Sequence, residues 1–203
     1  MSAYPLTLEG TSIAALVVGA GRVATRKALA LLQAGARVRV VALGGTTELE
    51  HAAGDDDRLV VTRAAYAPAQ IGDATLVIAA TDDPALNAII ARDARAKGRL
   101  VNVVDAPESG NCTTPAVLRS GNLVVSVTAG GVPAAAKRIR DSLGARLDAR
   151  YASAVAHLAA LRRAMLDDGL RDRWAQASAE LVGDDFCEQV ESGRFDERVA
   201  QWR

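Results

Sequence analysis

The feature that most constrains the fold is a series of short apolar runs that alternate with helix-forming segments. Helical character follows the first run at 23–34 and returns at 84–97. The apolar runs are residues 13–18, 38–42, 59–62, 76–80 and 100–104. Strands of continuous apolar character that alternate with helices are typical of a parallel sheet covered on both faces. The sequence therefore predicts an α/β fold of the Rossmann type over residues 1–112.

The pattern changes after residue 112. Two apolar runs, 114–118 and 123–128, flank Ser120-Gly121-Asn122 and predict a β-hairpin. A helix is expected after Pro133, and its apolar line is Ala135, Ile139, Leu143 and Leu147. A second helical stripe contains Tyr151, Val155, Leu158, Leu161 and Met165. We predict three parts: a Rossmann domain (1–112), a hairpin-plus-helix segment (113–150) and a C-terminal α-helical domain (151–203).

Composition excludes several classes of protein. Half of the 203 residues are hydrophobic and the net charge is zero, which argues against disorder and against general nucleic-acid binding. The longest apolar run has six residues, whereas a membrane span needs about 20. The first ten residues do not resemble a signal peptide. Two cysteines and two histidines, far apart, give neither a disulfide framework nor a metal site. We expect a cytoplasmic protein with no membrane or nucleic-acid partner.

A glycine motif directly follows the first apolar run. Gly19, Gly21 and Ala24 form G-x-G-x-x-A between a predicted strand and a predicted helix. The first glycine permits a tight turn, the second lets the backbone approach a pyrophosphate, and the alanine permits close helix packing. Free N–H groups at the start of the helix would bind the phosphates. The motif predicts dinucleotide binding; a turn that serves packing alone is the alternative.

The sequence distinguishes less clearly between NAD and NADP as the cofactor. The acidic residue that usually follows the second strand and binds the ribose is missing after Ala42. Backbone groups of Leu43 and Gly44 are the predicted ribose contacts. Arg39 is a candidate for a 2′-phosphate, but an arginine on a strand is more often solvated. We expect NAD as the cofactor.

Polar residues follow the fourth and fifth predicted strands. Thr81 is a candidate neighbour of the nicotinamide, and Asp82 or Asp83 is a candidate N-cap for the helix at Pro84. Asp105 follows the fifth strand, at the sheet edge where cofactors bind. The sequence offers no pairing of cysteine or serine with histidine, so acid–base chemistry would fall on a carboxylate. Asp105 is the candidate catalytic residue; a plain turn residue is the alternative.

Four stretches together resemble a known family. They are residues 17–28 (VVGAGRVATRKA), 79–83 (AATDD), 101–107 (VNVVDAP) and 130–140, which begins with a glycine pair. In this order and near this spacing, they resemble the precorrin-2 dehydrogenase / sirohydrochlorin ferrochelatase family, the stand-alone relative of the front half of siroheme synthase. The resemblance covers residues 8–147. The loop 128–133 departs from the family pattern: it lacks one residue and a serine before the proline.

The resemblance implies an activity and a set of site residues. The activity is NAD-dependent oxidation of precorrin-2 to sirohydrochlorin, towards siroheme or cobalamin, followed in some members by insertion of Fe²⁺ as a substrate. The protein would be a homodimer joined through residues 113–150. Asp105 would be the essential aspartate. The implied cofactor contacts are Gly19, Gly21, Arg22, Val23, Leu43 and Gly44.

Charge distribution agrees with an anionic tetrapyrrole substrate. Residues 119–163 contain eight basic and two acidic side chains, whereas residues 164–203 contain five basic and ten acidic ones. The basic excess could bind the substrate's carboxylates; a solvated face or a dimer contact is the alternative. The candidate substrate residues are Thr128, Gly130, Gly131 and Lys137. Two other functions remain open: a non-catalytic NAD-responsive regulatory module, and a dehydrogenase for an unrelated small substrate.

Overall fold

The structure is a computed structural model that describes residues 4–203 of the chain. The chain forms two compact units, Met1–Thr114 and Pro115–Arg203. The first unit contains the predicted Rossmann domain, and the second contains the predicted hairpin and all of the C-terminal helices.

The first unit is built on a five-stranded parallel sheet in the order β3-β2-β1-β4-β5. Every residue of β1 and β4 is buried, which explains why these runs are apolar throughout. The five predicted strands are thus confirmed. Their bounds are β1 Ala14–Val18, β2 Arg37–Ala42, β3 Leu59–Arg63, β4 Leu76–Ala79 and β5 Leu100–Val103.

Helices cover both faces of this sheet. Val17 and Leu49 belong to one core and Leu16 and Ile90 to the other, so neighbouring residues of β1 enter opposite cores. The helices are α1 Arg22–Gln33, α2 Thr47–Asp55 and α3 Pro84–Ala96. The sequence had indicated α1 and α3 but not α2, in which Leu49 is the buried residue. All five strands run in one direction, so their carboxyl ends lie at one edge of the sheet.

The second unit consists of an antiparallel hairpin and five helices. Strands β6 Ala116–Ser120 and β7 Leu123–Val127 pair with Ser120 opposite Leu123, as the turn sequence predicts. Tyr151, Leu161 and Met165 of the predicted stripe are buried, in a core shared with Leu181 and Phe195. The helices are α4 Pro133–Arg146, α5 Ala149–Asp167, α6 Arg171–Leu181, α7 Phe186–Glu191 and α8 Phe195–Ala200. The domain boundary predicted after residue 150 falls in the first turn of α5 and stays a prediction.

The predicted apolar line of α4 is only partly buried within this unit: Ala135, Leu143 and Leu147 are half-buried, and Ile139 is exposed. Ala136, one residue off that line, is the buried residue of the helix, whereas Ile139 is 47% exposed. Val124 on the hairpin and Val132 before the helix are 44% and 55% exposed. The segment thus presents apolar side chains to solvent. Within residues 4–203, no helix is long and apolar enough to cross a membrane.

Candidate active site

Gly19 forms the turn at the end of β1. Its φ of 110° is in the region that favours glycine, and its N–H donates to the carbonyl oxygen of Val41 at 2.8 Å. A Cβ added to Gly19 would lie 2.3 Å from the carbonyl oxygen of Ala80, just beyond β4. The backbone at Gly19 therefore lies too close to the backbone after β4 for any other residue.

Gly21 has a different role, because it caps α1. A Cβ at this position would meet nothing within 4 Å, and its φ of −69° suits any residue. The first bond of the helix runs from Thr25 N–H to the Gly21 carbonyl at 3.0 Å. The N–H groups of Arg22 and Val23 therefore have no acceptor within the helix. No side chain caps this end and its first turn has no acidic residue, so it suits an anion such as a pyrophosphate.

The loop after β2 lies beside this glycine turn. Leu43 is 81% exposed, and Gly44 has no atom within 4 Å of an added Cβ. Gly45 adopts a φ of 73°, and its added Cβ would lie 3.4 Å from the carbonyl oxygen of Ala20. The residues predicted to contact the ribose, Leu43 and Gly44, thus border the predicted phosphate site.

An acidic residue does lie near the end of β2, although no local sequence pattern predicts it. Glu50 of α2 accepts hydrogen bonds from Arg63 at 2.9 and 3.1 Å and from the buried Thr46 hydroxyl at 2.7 Å. Hydrogen bonding to Arg63, then to Thr46, lowers the pKa of Glu50. Arg63 is the partner of Ala42 in the β2–β3 register. The carboxylate therefore lies beside the predicted ribose site but is bound to an arginine.

Arg39 is engaged elsewhere. Its guanidinium donates to the Asp73 carboxylate at 2.9 Å and to the carbonyl oxygen of Ile71 at 3.1 Å. Asp73 precedes β4, so these contacts lie towards the amino ends of the strands. The arrangement favours the interpretation of Arg39 as a paired surface residue rather than a 2′-phosphate ligand.

Asn87 connects the ends of β4 and β5. This fully buried amide accepts from the Thr81 N–H at 3.1 Å and from the Thr81 hydroxyl at 2.8 Å. Its Nδ2 donates to the Thr81 carbonyl oxygen at 3.2 Å and to Oδ1 of Asp105 at 3.0 Å. The amide thus uses all of its hydrogen-bonding capacity on two predicted site residues.

Asp105 is exposed at the carboxyl edge of the sheet, two residues beyond β5. Among residues 4–203, the Asn87 amide is the hydrogen-bond donor to its side chain, and it binds Oδ1 and leaves Oδ2 without a protein donor. A carboxylate fixed at one oxygen and free at the other can accept a proton from a bound molecule. The N-cap predicted nearby is Asp83, whose Oδ1 accepts from the N–H groups of Ala85 and Leu86.

Asn87 is the site residue that sequence reasoning missed. Ile90, Ala91 and Ala94 follow it at spacings of three, four and seven, and all three are buried. A polar residue on the buried face of a helix needs partners, because an unpaired buried amide is costly. That spacing was the available signal.

Lys27 provides a further polar contact within the first unit. Its ammonium group, on α1, hydrogen-bonds the hydroxyl of Thr114 near Cys112. Burial lowers the pKa of Lys27, and the positive charge of Arg26 lowers it further; burial raises the pKa of the Cys112 thiol. The contact attaches the end of the first unit to α1.

The four predicted substrate residues belong to the second unit. Thr128, Gly130 and Gly131 lie in the exposed connection from β7 to α4, and Lys137 is exposed on α4. Both glycines adopt positive φ values, 52° and 84°. The structure thus groups the cofactor candidates with Asp105 in the first unit and the substrate candidates on one loop and helix of the second. No cluster of three or more His, Cys, Asp or Glu suited to a metal ion occurs in the described part of the chain.

The fold and this site define a dinucleotide-binding protein of the Rossmann class. A family whose description reads "Putative NAD(P)-binding" matches residues 6–116. Siroheme synthase from Ectopseudomonas mendocina is 44% identical over 145 residues, which cover 71% of this chain and 30% of that protein. Siroheme synthase from Pseudomonas paraeruginosa is 40% identical over 195 residues, which cover 93% of this chain and 39% of that protein.

A solved structure agrees with these sequence matches. SirC, a precorrin-2 dehydrogenase, superimposes with a TM-score of 0.77 at 25% identity and covers 98% of this chain and 100% of its own. The chain belongs to the NAD(P)-binding family, and it is similar to siroheme synthases and to a precorrin-2 dehydrogenase. The predicted resemblance is thereby confirmed. The chain spans less than two fifths of the length of these two siroheme synthases.

Proposed function

We propose that the protein is an NAD-dependent dehydrogenase that oxidises precorrin-2 to sirohydrochlorin on the route to siroheme or cobalamin. The observation that carries the proposal is the position of Asp105: it lies at the same sheet edge as the glycine turn and is held by Asn87 at 3.0 Å. The names of the relatives, siroheme synthase and precorrin-2 dehydrogenase, support the substrate class.

The residues of the glycine turn fit a dinucleotide. Gly21 leaves room for a pyrophosphate, and the N–H groups of Arg22 and Val23 lie at an uncapped helix end. Leu43 and Gly44 would hold the ribose, and Thr81 would border the nicotinamide. NAD, when bound, supplies the acceptor for the hydride that leaves the macrocycle.

Asp105 performs the proton transfer in this proposal. The hydride that leaves precorrin-2 carries both electrons of the oxidation, and a proton must leave the macrocycle as well. The carboxylate takes the proton, and the Asn87 hydrogen bond at Oδ1 leaves Oδ2 as the accepting atom. Thr128, Gly130, Gly131 and Lys137 are proposed to bind the tetrapyrrole, with Lys137 pairing a substrate carboxylate.

We extend the proposal to Fe²⁺ insertion, with the ion as a substrate. Metallation of sirohydrochlorin releases two pyrrole protons, and the macrocycle nitrogens become the ligands of the iron. Asp105 is the proposed acceptor for these protons as well. The activity would show as siroheme formation from sirohydrochlorin and Fe²⁺ in the absence of NAD.

A homodimer is the proposed assembly. The segment 113–150 exposes Val124, Val132 and Ile139, and a hairpin with one helix cannot bury both of its faces. A second copy of the chain would cover these side chains.

Incubation of the protein with precorrin-2 and NAD tests the central proposal. We expect the absorbance of sirohydrochlorin to appear together with one equivalent of NADH. The alternative, a non-catalytic NAD-responsive module, predicts NADH binding without turnover. A dehydrogenase for an unrelated substrate predicts turnover only when another compound is supplied.

A further inference from the structure

We propose that Glu50 and Arg63 form a coenzyme selector: Arg63 is a cation suited to the 2′-phosphate of NADP, and Glu50 keeps it neutralised so that the site takes NAD. The inference rests on the proposed dinucleotide binding and concerns its specificity. In Rossmann folds an acidic residue near the end of the second strand favours NAD, whereas a nearby arginine accommodates NADP. This chain has both residues, and they are bonded to each other.

The register places Arg63 beside the end of β2, next to the predicted ribose site. Arg63 is paired with Ala42, the last residue of β2, and the Ala64 N–H donates to the Ala42 carbonyl at 3.1 Å. Its Nε also lies 3.2 Å from the Thr46 hydroxyl. Thr46 directly follows Gly45, which lies against Ala20 of the glycine turn. Arg63 therefore borders the loop predicted to hold the adenosine ribose.

Glu50 uses both of its carboxylate oxygens on this arginine. Oε1 accepts from Nε at 2.9 Å and Oε2 from Nη2 at 3.1 Å, and Thr46 donates to Oε1. A two-point bond of this kind matches the planar guanidinium and competes directly with a phosphate. The pair is open to solvent, since the Arg63 side chain is 63% exposed, so a ligand can reach it. Glu50 also repels a phosphate dianion by its own charge.

The chain supplies a matched control at the other end of the sheet. Arg39 of β2 is paired with Asp73 at 2.9 Å and is 40% exposed. Substitution of Asp73 by asparagine would free Arg39, and also Arg37 at 3.8 Å, and neither arginine is at the carboxyl edge. Because the freed cations would lie far from the predicted ribose site, Asp73→Asn should leave the preference between NADH and NADPH unchanged.

The experiment measures the dissociation constants of NADH and NADPH by nicotinamide fluorescence for four full-length proteins. We expect NADPH to bind to Glu50→Gln at least about tenfold more tightly than to the wild type, because a charge-assisted contact is gained. The dissociation constant of NADH should change little. Adding Arg63→Met to Glu50→Gln should abolish that gain. Asp73→Asn should match the wild type.

The outcomes separate this inference from the proposed function. An unchanged NADPH-to-NADH ratio in Glu50→Gln, or a gain that survives in the double variant, would overturn the selector while NADH binding still supports the dehydrogenase. A purely structural clamp between α2 and β3 predicts a lower melting temperature and no change in that ratio. Failure of the wild type to bind NADH would overturn both proposals.

Discussion

The side-chain amide of Asn87 donates a 3.0 Å hydrogen bond to Oδ1 of Asp105, from a helix that begins after β4 to a residue that follows β5. The same amide makes its other hydrogen bonds to Thr81. Two strand ends that are far apart in sequence are thereby held by one buried side chain. The carboxylate proposed as the base is oriented by a residue that need not touch the substrate.

Asp105→Asn should lower kcat for precorrin-2 oxidation by about 10²–10⁴-fold, because the amide cannot accept a proton in place of the carboxylate. NADH binding should be unchanged, since Gly19 and Gly21 are not altered. Asp82→Asn is the matched control: Asp82 is an exposed carboxylate beyond β4, and this variant should keep near-normal turnover. Near-normal kcat in Asp105→Asn would make Asp105 a turn residue and refute the mechanism.

Asn87→Asp should destabilise the protein by about 1–3 kcal/mol, because the Thr81 carbonyl and Asp105 both lose a donor. The new carboxylate would also face that of Asp105. Combining it with Asp105→Asn restores a donor across the same contact and should recover part of the loss. Urea unfolding of the two single variants and the double variant gives the coupling energy. Additive losses would show that the two residues do not interact.

Gly19→Ala should lower folding stability, whereas Gly21→Ala should lower NADH affinity. The first places a Cβ 2.3 Å from a carbonyl oxygen at a φ of 110°, so we expect a loss of folding stability of several kcal/mol, beyond the ~1–3 kcal/mol of backbone strain alone. The second has free space around it, so the fold should persist while NADH affinity falls about tenfold or more. Thermal melts and NADH titration of both variants provide the test. Retained affinity in Gly21→Ala would contradict the proposed pyrophosphate site.

The Glu50–Arg63 pair should make stability depend on acid pH. Because the pKa of Glu50 is lowered in the folded protein, its contribution is fully present above the ordinary value of 4.5 and is lost as pH falls through the lowered value. The difference in unfolding free energy between wild type and Glu50→Gln should therefore shrink below pH 4.5, and should also shrink in high salt. A difference that grows on acidification would contradict the assignment.

Ile139→Glu should shift the protein from dimer to monomer, because a charge would replace an exposed apolar side chain of α4 within the proposed interface. Ile89→Glu on α3 is the control, since Ile89 is 40% exposed outside that segment. Sedimentation velocity at micromolar concentration measures both. A wild-type protein that already sediments as a monomer would refute the homodimer proposal.

The sheet and its glycine turn were predictable because their signals are local. Each of the following predicts its conformation from a few neighbouring residues: the five apolar runs, the glycine motif between strand and helix, and the aspartate before Pro84. Helix α2 gave no such signal, since one residue of its nine, Leu49, is buried. The pairing of Glu50 with Arg63 depends on how β3 aligns with β2, which the sequence pattern does not specify. The exposure of Ile139 follows from packing in the second unit rather than from its helical periodicity.

The close approach at Gly19 has a consequence for how this site tolerates sequence change. The atom that a side chain at position 19 would meet is a main-chain oxygen of Ala80, not a side-chain atom. Exchange of the Ala80 side chain leaves that oxygen where it is, whereas a shift of β4 along β1, where Val18 now pairs with Ala79, would move it. The close packing against Gly19 therefore depends on the register of β4 with β1 and not on which side chain occupies position 80.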